Sequence, residues 1–336
     1  MFTYPLASFN ERRLFFLGFV LIVLLASQLG GNYIIRYSNA QTEPNYTGMN
    51  SYSNSINQNQ TSMAVNGLIQ NVVIIIMENK GYSQIIDASD APYQNQLAKN
   101  YASASEYYGV YPDSLPNYIA IISGYRYITD DKDPEMVAPF KNPTIVDLLQ
   151  SNNLTWKGYF EDIPEKCYTK DSGKSGYIAH HNPFVYFDIR NDDRCDNTVG
   201  LDNFFKDLSN GTVPNYSFIV PNNIHNTHDS TVAQGDKWLS TFVPKIINST
   251  VFANTALFIV YDEGQKHDKS GFGSGPYEAK GGRLPLILVS PLAREGFVSQ
   301  VQYSHYNLLS TVEKILGLGS LEKGDSAAKP MMDLFQ

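Results

Sequence analysis

Three separated stretches of this 336-residue chain carry side chains able to act together. Val72-Val73-Ile74-Ile75-Ile76-Met77 runs directly into Glu78-Asn79-Lys80-Gly81, and Ala256-Leu257-Phe258-Ile259-Val260-Tyr261 runs in the same way into Asp262-Glu263-Gly264. Each is an apolar run of strand length that ends in oxygen donors. In a doubly wound sheet, ligands gather at the carboxyl ends of the strands, so two such strands would bring Glu78, Asn79, Asp262 and Glu263 side by side. Carboxylates massed without a cation repel one another and lose hydration, so the pattern predicts one divalent metal ion. Ca, Mg, Mn and Zn all accept such oxygens.

The third stretch is Asp113-Ser114-Leu115-Pro116-Asn117-Tyr118, followed by Ile119-Ala120-Ile121-Ile122-Ser123-Gly124. Proline near the start of an apolar run and glycine at its end predict a short helix with Ser114 just before its N-terminus. Helix amides there favour an anion, and a neighbouring metal acidifies a hydroxyl, so Ser114 is the candidate nucleophile against a phosphoryl group. A departing phosphoester oxygen needs a proton, which imidazole suits. His228 in His225-Asn226-Thr227-His228-Asp229 is the first candidate donor and His181 in His180-His181-Asn182-Pro183-Phe184 the second; His305 either caps the last helix or lines the site. The Gly-rich stretch Gly264 to Gly282 is expected to be either a lid over the site or a plain surface connection.

Apolar runs of strand length that alternate with helical patterns would position these groups. Val72 to Met77, Thr155 to Phe160, Tyr216 to Val220, Ala256 to Tyr261 and Leu284 to Val289 read as strands, and Ile145 to Leu149 as helix. The alternation predicts an α/β fold with a mainly parallel central sheet and helices on both faces. One catalytic domain over residues 69–336 accounts for the chain from Leu68 onward, and no internal repeat divides it. Its 43% hydrophobic content suffices for a real core.

Ahead of that domain, Arg12 and Arg13 precede the apolar stretch Leu14 to Ala26, and the next charge is Arg36. Residues 1–36 therefore read as a signal peptide or an N-terminal membrane anchor, and the positive flank places the remainder outside the cytoplasm. Residues 37–68, rich in Asn, Ser, Gln and Tyr, read as a disordered polar linker. Asn-x-Ser/Thr acceptors at Asn45, Asn59, Asn153, Asn210, Asn215 and Asn248 agree with an exported, secreted or surface-anchored glycoprotein. In an oxidising compartment the two cysteines, Cys167 and Cys195, would pair. The net charge of -8 is spread without basic clusters, which argues against nucleic acid as a partner.

Six motifs taken in order resemble the phosphoesterase family of phospholipases C and secreted acid phosphatases, within the alkaline-phosphatase-like superfamily. They are Glu78-Asn79, Ser114-Leu115-Pro116-Asn117-Tyr118, His181-Asn182-Pro183-Phe184, His228-Asp229 with Gly235-Asp236 following, Asp262-Glu263, and Ser304-His305-Tyr306. The resemblance implies a three-layer sandwich, a metal held by Glu78, Asn79, Asp262 and Glu263, a Ser114 nucleophile, and Asn117, Asp229 and His305 around the substrate beside the two catalytic histidines. The chain looks closest to the short acid-phosphatase branch, which implies cleavage of a small phosphomonoester or a phosphoinositide-like substrate through a phosphoseryl intermediate. Phospholipase C-like cleavage of lipid diesters is the alternative, and a non-catalytic surface glycoprotein a more distant one. Related chains often carry His-Pro ahead of the nucleophile, whereas this one has Pro112-Asp113.

Overall fold

The structure, a computed structural model, describes residues 67–265 and 267–336. The apolar segment at residues 14–35 and the linker as far as residue 66 lie outside the described residues. Among the described residues no helix is long and apolar enough to cross a membrane.

The strands are β1 Asn71–Met77, β2 Ala102–Tyr108, β3 Trp156–Phe160, β4 Thr198–Gly200, β5 Tyr216–Val220, β6 Thr255–Tyr261, β7 Arg283–Val289, β8 Val298–Ser299 and β9 Tyr303–Ser304. They form one sheet in the order β4-β3-β5-β1-β6-β7-β2-β8, with β9 paired to β2. From β4 to β6 all neighbours are parallel, and β7 runs antiparallel to both β6 and β2. Every residue of β5 and β6 is buried, which requires cover on both faces of the sheet. The α-helices among the described residues are α1 Tyr82–Ile85, α2 Pro92–Asn100, α3 Ser114–Ser123, α4 Ile145–Ser151, α5 Asp202–Asn210, α6 Val232–Ile247, α7 His305–Leu316 and α8 Gly324–Ala327.

The apolar runs become the central strands because only a doubly covered sheet can bury their β-branched residues on both sides. β2 lacks that signature. Its sequence, Ala-Ser-Ala-Ser-Glu-Tyr-Tyr, is small and polar, and it becomes a strand by pairing with β7, with an irregularity between Ala104 and Tyr107.

One pairing decides the rest. β1 and β6 lie side by side in unbroken parallel register from Asn71↔Thr255 to Met77↔Tyr261. The residues that follow, Glu78 and Asp262, therefore leave the same edge of the sheet as neighbours.

Candidate active site

The tip of β1 is shaped by local backbone chemistry. Glu78 donates its amide to the Asn226 carbonyl at 2.8 Å, and Asp262 donates its amide to the Met77 carbonyl at 3.1 Å, so both strand ends are held. Asn79 takes a left-handed conformation, φ 49°, which asparagine tolerates better than most residues. That turn aims its amide N–H at Asp262 Oδ1, 3.1 Å away. The Asn79 side-chain amide faces Glu78 Oε2 at 2.9 Å and Asp262 Oδ1 at 3.3 Å. With its nitrogen toward them it donates to both carboxylates; with its oxygen toward them it adds a further donor for a cation.

Ser114 is the first residue of α3, with Asp113 as the N-cap position, so the serine sits one residue further into the helix than the sequence pattern predicts. Its hydroxyl lies 3.3 Å from Glu78 Oε2 and 3.3 Å from Glu263 Oε1, and the residue is 2% exposed. The helix-start amide of Leu115 donates not to a ligand but to Asp131 Oδ1 at 2.8 Å.

Burial dominates the electrostatics. Removal from water, reinforced by the Asp262 charge, holds the Glu78 carboxyl well above the usual carboxylate range. Burial likewise raises Asp262, and burial followed by the Asp262 charge pushes Glu263 up to about 9. Asp262 Oδ2 is buried without a hydrogen-bond partner. Carboxylates and imidazoles alone form no three-residue metal cage among the described residues. A donor set that counts the amide of Asn79 and the hydroxyl of Ser114 is richer in hard oxygens, and the orphaned Asp262 Oδ2 fits a cation ligand.

The candidate histidines differ sharply. His181 is buried; its Nε2 stands 3.4 Å from Glu78 Oε1, and its ring stacks on Tyr118 with centroids 5.2 Å apart. Burial, then the nearby His180, lowers its basicity far below the ordinary imidazole value, so it is neutral. His228 is exposed at the rim, its ring 6.0 Å from that of His181, and its Nδ1 is 2.8 Å from Asp229 Oδ1. A carboxylate that holds one ring nitrogen fixes the tautomer and leaves the other to face a substrate.

Two further candidates have their side chains bonded within the protein. Asn117 accepts from the amides of Val110 and Tyr111 at 2.7 and 3.2 Å and donates to the carbonyls of Tyr111 and Asp113, both at 2.7 Å. Its amide braces the loop before Ser114. His305 is wholly buried; its Nδ1 accepts from Tyr107 Oη at 2.8 Å and its Nε2 donates to the Asp262 carbonyl at 2.6 Å. Burial lowers it to about 4, which keeps it neutral as that pattern requires. It steadies the Asp262 main chain.

The Gly-rich stretch is pinned by backbone hydrogen bonds at its base. Gly264 donates to the Gly281 carbonyl at 2.7 Å, Gly281 to that of Gly109 at 2.8 Å, and Phe272 and Ala279 exchange two further backbone bonds. A Cβ on Gly109 would come within 2.9 Å of both the Asp262 and Gly281 carbonyl oxygens, and one on Gly281 within 2.6 Å of the Tyr111 carbonyl oxygen. Glycine at these two positions lets the loop before Ser114 and the loop after Asp262 interlock through bare backbone.

A sequence profile of the phosphoesterase family matches residues 84–319, most of the described chain. The chain belongs to the phosphoesterase family. The chain is similar to an acid phosphatase of Aspergillus fumigatus, 26% identical over a match that covers 86% of this chain and 64% of that protein. It is also similar to a phosphatidylinositol-3-phosphatase of Mycobacterium tuberculosis, 29% identical over 77% of this chain and 81% of that one. The chain spans less than two thirds of the length of the first curated relatives that it matches. Among solved structures, an alkaline phosphatase superfamily protein from Vibrio parahaemolyticus superposes with a TM-score of 0.52 at 15% identity, over 79% of this chain and 71% of that one, which shows a shared fold.

Three residues of the site went unread in the sequence. Tyr118, one helical turn after Ser114, donates its hydroxyl to Glu78 Oε1. Its only signal was a polar tip in an aliphatic helix. Lys80 donates to the Thr227 carbonyl at 2.8 Å, and burial lowers its basicity. Asp131 lies in the charged stretch Asp130-Asp131-Lys132-Asp133, where nothing local distinguishes it.

Proposed function

We propose that this protein is an extracytoplasmic, metal-dependent hydrolase of phosphate monoesters of the acid phosphatase type, working through a phosphoseryl intermediate. The observation that carries the reading is the position of Ser114 Oγ, 3.3 Å from an oxygen of each strand-tip carboxylate, Glu78 and Glu263. Glu78, Asn79, Asp262 and Glu263 would hold the divalent ion. When bound, that ion supplies charge neutralisation at phosphorus and acidifies the serine hydroxyl.

Ser114 Oγ forms a bond to phosphorus as the bond from phosphorus to the leaving oxygen breaks, and its proton passes to the carboxylate side of the site. His228, held by Asp229, gives a proton to the leaving alcohol and then takes one from the water that attacks the phosphoserine, releasing inorganic phosphate and restoring Ser114. His181 is less suited to that role, since its buried Nε2 faces Glu78. Export is supported by the disulfide between Cys167 and Cys195, whose Cα atoms stand 5.3 Å apart. A small phosphomonoester or a phosphoinositide-like headgroup is the proposed substrate.

The test is hydrolysis of p-nitrophenyl phosphate and of its bis ester with divalent ions present, by wild type and Ser114→Ala. The expected result is faster monoester than diester turnover, with a loss of at least about a thousandfold in the variant. Unchanged turnover in Ser114→Ala removes the nucleophile assignment; faster diester turnover moves the activity to the phospholipase C class.

A further inference from the structure

Four of the Asn-x-Ser/Thr sequences lie among the described residues, at Asn153, Asn210, Asn215 and Asn248, and the fold treats them unequally. Asn153, Asn210 and Asn248 are exposed, and so are the hydroxyl residues two places on, Thr155, Thr212 and Thr250. Among the described residues nothing hydrogen-bonds to the side-chain amides of these three asparagines. Asn215 is the opposite case. Its Oδ1 accepts from the Thr155 amide at 3.0 Å and the Thr155 hydroxyl at 3.1 Å, and its Nδ2 donates to the Gln70 carbonyl at 3.0 Å. The hydroxyl residue of its own sequence, Ser217, is wholly buried in β5.

Topology gathers the three open acceptors. Asn153 lies between α4 and β3, Asn210 ends α5 ahead of β5, and Asn248 follows α6 ahead of β6. β3, β5, β1 and β6 are successive parallel neighbours, so the starts of these strands share one edge of the sheet. Glu78 and Asp262 follow the other ends of β1 and β6, at the opposite edge. β6 has seven residues, which at about 3.3 Å each separates the two edges by roughly 20 Å.

We propose that Asn153, Asn210 and Asn248 are N-glycosylation sites, that Asn215 is not, and that the glycans clothe the edge of the domain turned away from the catalytic strand tips. In the transfer, each Nδ2 bonds to the anomeric carbon of a polyprenyl-phosphate-linked oligosaccharide as the bond from that carbon to the phosphate oxygen breaks. The amide gives up one proton and the polyprenyl phosphate leaves. A sugar on Asn215 would have to displace the Gln70 carbonyl or push apart the starts of β1, β3 and β5. Substrate reaches Ser114 from the bare edge, so modification leaves turnover untouched. The proposal rests on the export reading, since oligosaccharide transfer takes place beyond the cytoplasm.

The test is a glycopeptide map, by mass spectrometry, of the full chain made in a host that performs Asn-linked glycosylation, with the triple variant Asn153→Gln, Asn210→Gln, Asn248→Gln beside it. Expected are oligosaccharide masses at Asn153, Asn210 and Asn248 and an unmodified Asn215. The triple variant should keep kcat/KM for p-nitrophenyl phosphate within about twofold of wild type. An exported protein that is bare at the three positions, or one that carries sugar on Asn215, overturns the proposal. So does a triple variant whose kcat/KM falls more than about fivefold while its Tm holds, because the glycans would then act at the catalytic edge. Retention in the cytoplasm sinks the export reading and the proposal with it. A glycosylated wild type without Ser114-dependent turnover sinks the phosphomonoesterase reading alone, and the map stands.

Discussion

Glu313 offers a stability test far from the chemistry. It lies on α7, is 5% exposed, and its Oε1 has no hydrogen-bond partner. Its neighbour Asp325 is also buried and already satisfied, accepting from Ser320 Oγ, from the Leu321 amide at 2.8 Å and from the Lys323 amide at 2.9 Å. Burial first, then the Asp325 charge, raise Glu313 from 4.5 to about 8. The native protein therefore holds this proton over a range in which the unfolded chain has released it. Since the native state binds more protons, stability falls as pH rises from about 4.5 to about 8 and levels off beyond. Each unit of that window corresponds to about 1.4 kcal/mol, which gives roughly 3 kcal/mol at pH 7; allowing half for relaxation and water entry leaves about 1–2 kcal/mol. Glu313→Gln keeps the shape and removes the ionisation. Its Tm should exceed that of wild type by about 2–6 °C near pH 7 and by almost nothing near pH 4.5, measured by circular dichroism melts across that range. A difference that stays constant with pH, or a variant less stable than wild type at pH 7, would refute the reasoning.

Other expected outcomes follow from the same structure. Millimolar Ca, Mg, Mn or Zn, at about a hundred times its dissociation constant, should stabilise the protein by about 3 kcal/mol and raise Tm by several degrees; Asp262→Asn should abolish the rise, and no response to any of the four ions would remove the metal proposal. Replacing Cys167 and Cys195 with serine opens a loop closed across 28 residues and should cost about 3 kcal/mol, seen as a lower denaturation midpoint in urea; an unchanged midpoint would show that the bridge contributes nothing.

The parts of the fold that were legible are those written as unbroken apolar runs. β1, β6 and β7 fall where such runs occur, because a strand buried on both faces admits little else, while β3 and β5 are interrupted by Lys157 and Ser217. β2 was invisible since its Ala and Ser residues follow from close packing against neighbours that sequence does not identify. Within the site, the residue types at the ends of β1 and β6 were readable, but their proximity depends on a pairing between segments 183 residues apart. Asn117 and His305 stand within motifs that suggest ligand contact, and only the structure reveals that Asn117 bonds the main chain of its own loop while His305 bonds the Tyr107 hydroxyl and the Asp262 carbonyl. Asp131 reaches Leu115 through the path of a loop, which no local pattern encodes.

The residue-for-residue pairing of β1 with β6 also orders events during synthesis. The serine and the first acidic tip emerge from the ribosome early, while the second tip follows only after more than three quarters of the chain has been made. If domains assemble largely as units, the nascent polypeptide carries one acidic tip long before the other. On the function proposed above, the site would be complete only once the sixth strand has paired with the first.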